Sequence, residues 1–273
     1  MSADATVEAA LAGGGDARRR ASAVASRILL PTGTIVALVG LWWLATIVFG
    51  WKPFLVPTPK DVWEEMSRQR HLLPGHLWTT LAETLEGFGL AILIAFPVAV
   101  AIAYSRVLEA TIYPALVALN AIPKIAIAPL LVIWMGFGSG PKIAMVVLIC
   151  FFPIVIGTAT GLKSTPAELV DLTRSLSASP LQEFVKVRFP ASLPYVFVGL
   201  KVGIALAVIG AVVGEFVGAT KGLGYVILAS GQNANTSLAF AAIVLLSLLS
   251  IVLFYALVLA ERVLVPWAAE EQR

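Results

Sequence analysis

Runs of apolar residues about as long as a membrane is thick recur through this chain, and one long polar stretch interrupts them. A helix needs roughly 20 apolar residues to cross the hydrocarbon core of a bilayer. Six segments meet that length: 28–49, 77–104, 110–135, 142–161, 193–217 and 238–259. The composition agrees, with 59% of the 273 residues hydrophobic and 13% charged. Soluble domains run nearer one half apolar and one quarter charged. The expected fold class is therefore an all-α integral membrane protein of about six transmembrane helices.

The N-terminal arm, 1–27, is small, polar and rich in Gly and Ala, and is expected to be a disordered tail. Arg18, Arg19 and Arg20 imitate the n-region of a signal peptide. The run that follows is too long for an h-region and has no clear small-residue cleavage site, so it reads as a retained first span. Residues 28–262 form the expected transmembrane domain, with a loop at 163–190, and 263–273 a short tail. Between spans one and two, Thr58 is a candidate N-cap with Pro59 in the first turn of a short surface or interfacial helix. The Gly-rich stretch 218–237 is expected to be a loop with one helical turn.

Six spans place both termini on one side. Eleven basic residues fall in the segments on the N-terminal side and six on the other. The excess predicts cytoplasmic N- and C-termini, with the polar loop in the cytoplasm. The net charge of +3 is not gathered in one patch, so nucleic acid is not indicated. The single cysteine, Cys150, excludes an intramolecular disulfide and reads as an apolar core residue. His71 and His76 have no carboxylate or cysteine set around them that would hold a metal.

Within the polar loop, Leu169, Leu172 and Leu176 recur at helical spacing and form one apolar stripe. Ser164 or Thr165 is a candidate cap, with Pro166 and Glu168 in the first turn. Ser179-Pro180 breaks the helix, and 181–189 forms a second short one that Pro190 and Pro194 are expected to end. A helix–break–helix with an exposed apolar stripe suits a groove on another protein.

This loop resembles the cytoplasmic "EAA" loop of permease subunits of ATP-binding-cassette importers. Asp171, Leu172 and Thr173 stand at the Glu-Ala-Ala positions, Ser177 at the glycine, and 187–190 at the final Ile-x-Leu-Pro. The spacing is kept while several identities differ. FLVPTPKDVW, NAIPKIAIAPLLVIWMGFG and GATKGLGYVIL, in that order, are similar to the nitrate, sulfonate and taurine branch of these permeases. The resemblance implies a type I importer with a MetI-like permease fold in a bacterial inner membrane. It further implies two cytosolic ATPases, a second permease subunit (here expected to be an identical copy), an extracytoplasmic solute-binding protein and surrounding lipid. Glu168, Asp171, Leu172, Thr173, Arg174, Leu176, Ser177 and Ala178 would then form the ATPase-coupling surface. The chain has no P-loop, so ATP would be bound by the partner, and neither a cofactor nor catalysis is expected here.

Ionisable residues inside spans point to a pathway or a partner. Lys124 follows Pro123 within span three, which three prolines should kink. It reads as a cation of the translocation pathway, or as a snorkelling or carbonyl-bound lysine. Glu215 in span five reads as a gate group pairing with Lys124 or across a subunit interface, or as a structural hydrogen-bond partner. Lys201 is expected to snorkel to the cytoplasm, and Glu83 and Glu86 to be satisfied by solvent or Arg70. Gly203, Gly210 and Gly214 lie on a small-residue stripe that fits a subunit interface, with packing inside the subunit the alternative. The substrate expected from the resemblance is a sulfonate, taurine or nitrate-like anion, with a heterocyclic vitamin precursor of the pyrimidine or riboflavin type as the alternative. A secondary transporter would instead show inverted repeats, and a membrane enzyme a cluster of reactive groups at one depth; neither pattern is visible.

Overall fold

The computed structural model describes residues 33–269, so the expected arm, the start of the first span and the last residues of the tail lie outside the described residues. The chain divides after Glu64 into two compact units. In the first, α1 (Gly33–Val48) is an apolar helix. Thr58 then caps α2 (Pro59–Arg68), which runs across the division: the Asp61 N–H donates to the Thr58 hydroxyl at 3.2 Å, and the Thr58 N–H donates to the Asp61 carboxylate at 2.9 Å. That reciprocal pair is a capping box with Asp in place of Glu.

The second unit is entirely helical among the described residues. It runs α3 (Leu73–Tyr104), α4 (Arg106–Ala121), α5 (Lys124–Met135), α6 (Gly140–Lys163), α7 (Ala167–Ser175), α8 (Pro180–Glu183), a π-turn (Phe184–Arg188), α9 (Phe189–Phe216), α10 (Leu223–Gln232) and α11 (Thr236–Leu264). Four helical stretches are long and apolar enough to cross a membrane: α3, α6, α11 and the run Pro180–Phe216. A fifth span exists if α4 and α5 are taken together, bent by 92° at their junction.

The expected kink in span three is thus a full break. Pro123 has no N–H to continue the ladder of α4, and the residue before a proline is driven out of the α region. Ile122 accordingly sits at φ −68°, ψ 129°. The expected stop at Pro190 and Pro194 does not occur. The chain widens into the π-turn just before Pro190, where the Phe189 N–H reaches back five residues to the Phe184 carbonyl. That wider turn absorbs the proline ring, and α9 continues through Pro194. The Gly-rich segment is also more ordered than expected: α10 has ten residues. Leu223 and Val226 anchor it against Leu73 and Ala242.

Helices α6 and α9 form the closest pair, and glycine makes it so. A Cβ on Gly157 would lie 2.8 Å from the Cα of Gly199, and one on Gly199 2.8 Å from the Pro153 carbonyl oxygen. Further along, a Cβ on Gly210 would meet the Val146 backbone at 2.9 Å, and one on Gly214 the Lys142 Cα at 2.7 Å. Gly203 faces Ile154 and Phe88. Gly203, Gly210 and Gly214 therefore pack helices within this chain, the second of the two readings of that stripe. Close backbone approach is how membrane helices gain van der Waals contact when lipid offers no hydrophobic drive. Around this seam lie Ala91, Ala95, Ala99, Cys150, Val155, Ala207 and Ala211, all buried.

Gly157→Val should cost about 1–3 kcal/mol by overpacking the seam. Gly89, a helical glycine with open space around it, should accept Ala with a gain of up to about 1 kcal/mol. Thermal unfolding in detergent reads both. Equal midpoints for the two variants would contradict the seam.

Candidate functional site

Two features at different depths of the bundle could take part in moving a solute: a cavity around Lys124 and the helical loop between α6 and α9. The cavity is open and holds about 510 Å³; its walls include Phe152, Pro153, Ile156, Gly157, Val198, Val202 and Leu206. Asn120 and Lys124 bring the polar atoms. The same two residues also line a neighbouring hollow of about 310 Å³ with Phe151 and Ile127. The break between α4 and α5 puts them there. Asn120 lies in the last turn of one helix and Lys124 begins the next, and Lys124 Nζ donates to Asn120 Oδ1 at 2.6 Å. The first turn of α5 has no side-chain cap, so its partial positive charge adds to that of the lysine.

Lys124 and Glu215 are not brought together. Glu215 is 1% exposed and accepts hydrogen bonds from Thr80 Oγ1 at 2.7 Å and from the Gly224 N–H at 2.5 Å. Its partners within the chain are thus Thr80 and Gly224 rather than Lys124, which fits the reading of Glu215 as a structural hydrogen-bond partner. Glu83 is also buried, where solvent or Arg70 was expected to satisfy it; it pairs with Lys142 at 2.6 Å. Lys142 is itself only 8% exposed, so it is not a free charge at the surface. Lys201 does not run free to the surface either: it bridges to Glu261 of α11 at 2.9 Å.

The loop has an exposed apolar face. Leu169, Leu172 and Leu176 are 44%, 55% and 73% exposed, while Val170 on the other face of α7 is buried. Asp171 and Arg174 are solvent-exposed and 3.8 Å apart. Glu168 sits in the first turn, and Thr173 returns its hydroxyl to the Val170 carbonyl. Ser164 and Thr165 do not cap α7; their hydroxyls donate to the last carbonyls of α6. Pro166 takes the N-cap position without a side-chain bond.

The corner after α7 depends on Ser177. Its φ is +55°, the left-handed region. The Ala178 N–H bonds the Thr173 carbonyl at 3.0 Å, and the Ser177 N–H the Arg174 carbonyl at 3.0 Å. This is a Schellman ending, in which glycine is the usual left-handed residue. The next helix opens on a box the sequence reading missed, although Ser-Pro-Leu-Gln carries its signature. The Gln182 N–H donates to Ser179 Oγ and the Ser179 N–H to Gln182 Oε1.

The loop is tied to the bundle by aromatic and ionic contacts. Arg188 bonds Glu183 at 2.5 Å and lies 5.4 Å from the centre of the Tyr104 ring at the end of α3. Phe184 packs on both Tyr104 and Phe189, and Phe96 on Phe189. Lys163 meets Glu109 of α4.

The family described as "Binding-protein-dependent transport system inner membrane component" matches residues 87–267, which takes in the cavity and the whole loop. The chain belongs to that family of permeases. The formylaminopyrimidine transport permease ThiX of Halalkalibacterium halodurans is 36% identical over 89% of this chain and 97% of its own length. The riboflavin transport permease RibX of Chloroflexus aurantiacus is 37% identical over 86% and 89%. The taurine transport permease TauC of Escherichia coli is 28% identical over 90% and 92%. Among solved structures, a chain of the MetNI methionine ABC transporter in inward facing conformations superposes with a TM-score of 0.65, covering 72% of the permease and 98% of that chain. Its identity is 24%, so it speaks for the fold alone.

Ser177→Gly should leave the permease as stable as the wild type or slightly more so, since glycine takes the left-handed angle without a Cβ clash. Ser177→Val should cost about 1–2 kcal/mol locally, read as faster amide exchange in 172–182. Equal exchange in both variants would show that the corner is not strained.

Proposed function

We propose that the cavity at Lys124 is part of the solute pathway, and that the loop 163–190 is the surface through which a cytosolic ATPase drives it. In this reading the permease works as two copies with two ATPases, is fed by an extracytoplasmic solute-binding protein, and holds both termini in the cytoplasm. ATP is bound and hydrolysed on the partner, and the permease supplies the path. The observation that carries the proposal is the outward-facing leucine stripe of α7, held at a fixed corner by Ser177 and tied by Arg188 to α3. An apolar face that its own chain leaves uncovered, on a loop this well built, fits a groove on another protein. Glu168, Asp171, Thr173, Arg174 and Ala178 surround that stripe and shape its rim. The second copy covers the exposed apolar residues of α5, Ile125, Ile133 and Trp134 among them.

The solute is a small organic or inorganic molecule with a strong hydrogen-bond acceptor or anionic group. Lys124, Asn120 and the uncapped start of α5 receive that group, and a sulfonate, taurine or nitrate-like anion fits them. A heterocycle of the pyrimidine or riboflavin type is the second reading. The apolar cavity walls favour it, as does the greater identity to the two permeases named for such compounds.

Two experiments on the complex in lipid vesicles test these statements. Burying one leucine contributes about 1.5–3 kcal/mol, so Leu172→Glu should weaken ATPase association by about tenfold or more while the spans stay folded. Undiminished association would count against the loop as the docking surface. Lys124→Ala should slow uptake of an anionic solute by about tenfold without loss of assembly; for a neutral heterocycle the effect should be small. Unchanged uptake of every solute tried removes Lys124 from the pathway.

A further inference from the structure

At the end of the bundle away from the coupling loop lies a buried cluster that the transport reading does not use. Glu83 of α3 is 5% exposed, Glu215 of α9 1% and Lys142 of α6 8%. Three of the four carboxylate oxygens have a donor. Glu215 takes Thr80 Oγ1 on one oxygen and the Gly224 N–H on the other. Glu83 Oε1 takes Lys142 Nζ. Thr80 Oγ1 in turn accepts the Leu223 N–H at 2.8 Å. The remaining atom, Glu83 Oε2, is buried and has no N–H or O–H donor. The Glu215 carboxyl belongs to the same cluster: Thr80, one turn before Glu83 on α3, donates to it, and Gly214 beside it packs on the Cα of Lys142, the partner of Glu83.

Two carboxylates cannot bond each other, because neither carries a donor. Two buried negative charges beside a single ammonium also leave one charge uncompensated, which is strongly unfavourable in a low dielectric. Among the described residues, no cation besides Lys142 bonds either carboxylate. His76 spends Nδ1 accepting the Gly222 N–H, Lys221 beyond it is exposed, and Glu86 on α3 adds a further, exposed, negative charge. We propose that Glu83 and Glu215 hold one proton between them, so that this site is a proton-binding site whose occupied state, with Lys142, is neutral. Binding turns one carboxylate into a carboxylic acid whose O–H donates to the other: two negative charges, one ammonium and one proton sum to zero. The proton then joins α3 and α6 to α9, and through Thr80 and Gly224 it fixes the start of α10. Its loss would set the two carboxylates against each other at the point where α10 attaches.

Infrared difference spectroscopy on the full complex in lipid reads this directly and does not depend on transport. The wild type should show the carbonyl stretch of a protonated carboxylic acid, shifting on exchange into heavy water. Glu83→Gln and Glu215→Gln should each abolish the band, since one carboxylate then matches one ammonium. Each single variant should also keep a melting temperature near that of the wild type, while the double variant, which strands Lys142, should lose far more than the two single losses together. Should one variant fail to fold, the other decides. No acid band in the wild type, a band surviving in a folded single variant, or additive losses would each overturn the proposal.

Discussion

The approach of α6 to α9 at bare backbone distance is the constraint on which the rest of this permease depends. Gly157, Gly199, Gly210 and Gly214 let the two helices run together with no side chain between them. Each further element is placed against that pair. Helix α3 adds its alanine face, Ala91, Ala95 and Ala99. The α4–α5 elbow sets Lys124 beside the surface where Gly157 and Gly199 meet. The seam that holds the subunit together is therefore also part of the floor of the cavity. A glycine pattern that the sequence left open to a second subunit or to packing within one chain serves the packing of this chain.

Most ionisable groups at the two ends of the seam are paired. On the loop side Lys201 meets Glu261, Lys163 meets Glu109, and Arg188 is divided between Glu183 and Tyr104. On the opposite side Lys142 meets Glu83, and Glu215 takes Thr80 and Gly224. Ionised groups in a membrane are tolerated when buried and matched, and these links hold helix ends together that apolar packing alone would leave free to slide. Lys124 differs. Its partner is the neutral Asn120, so its charge stays available to whatever enters the cavity.

The helical class, the apolar runs and the placement of the loop were legible in the sequence because hydrophobic length and periodicity are local properties. The same holds for the Thr58 cap and the leucine stripe of α7. Ser177 is a sharper case: aligned with a glycine by resemblance, it adopts the backbone angle that a glycine would supply. What local reading could not reach was anything set by two distant segments. Glu83 and Lys142 lie 59 positions apart, and Thr80 and Glu215 lie 135 apart. No spacing rule joins them. Prolines misled in both directions. Pro123 breaks its span outright, whereas Pro190 is absorbed, because a π-turn happens to precede it. The outcome depends on the turn that receives the ring, and composition does not reveal that.

That unbroken passage through Pro190 has a mechanical meaning. From Pro180 to Phe216 the chain is one helical stretch of 37 residues, roughly 55 Å at 1.5 Å per residue. One end begins at the capping box beside the leucine stripe, and the other carries Glu215. A rod of that length acts as a lever: a tilt of about 5° at one end displaces the other by roughly 5 Å. A displacement at one end of this stretch can thus reach the other through a single continuous helical backbone.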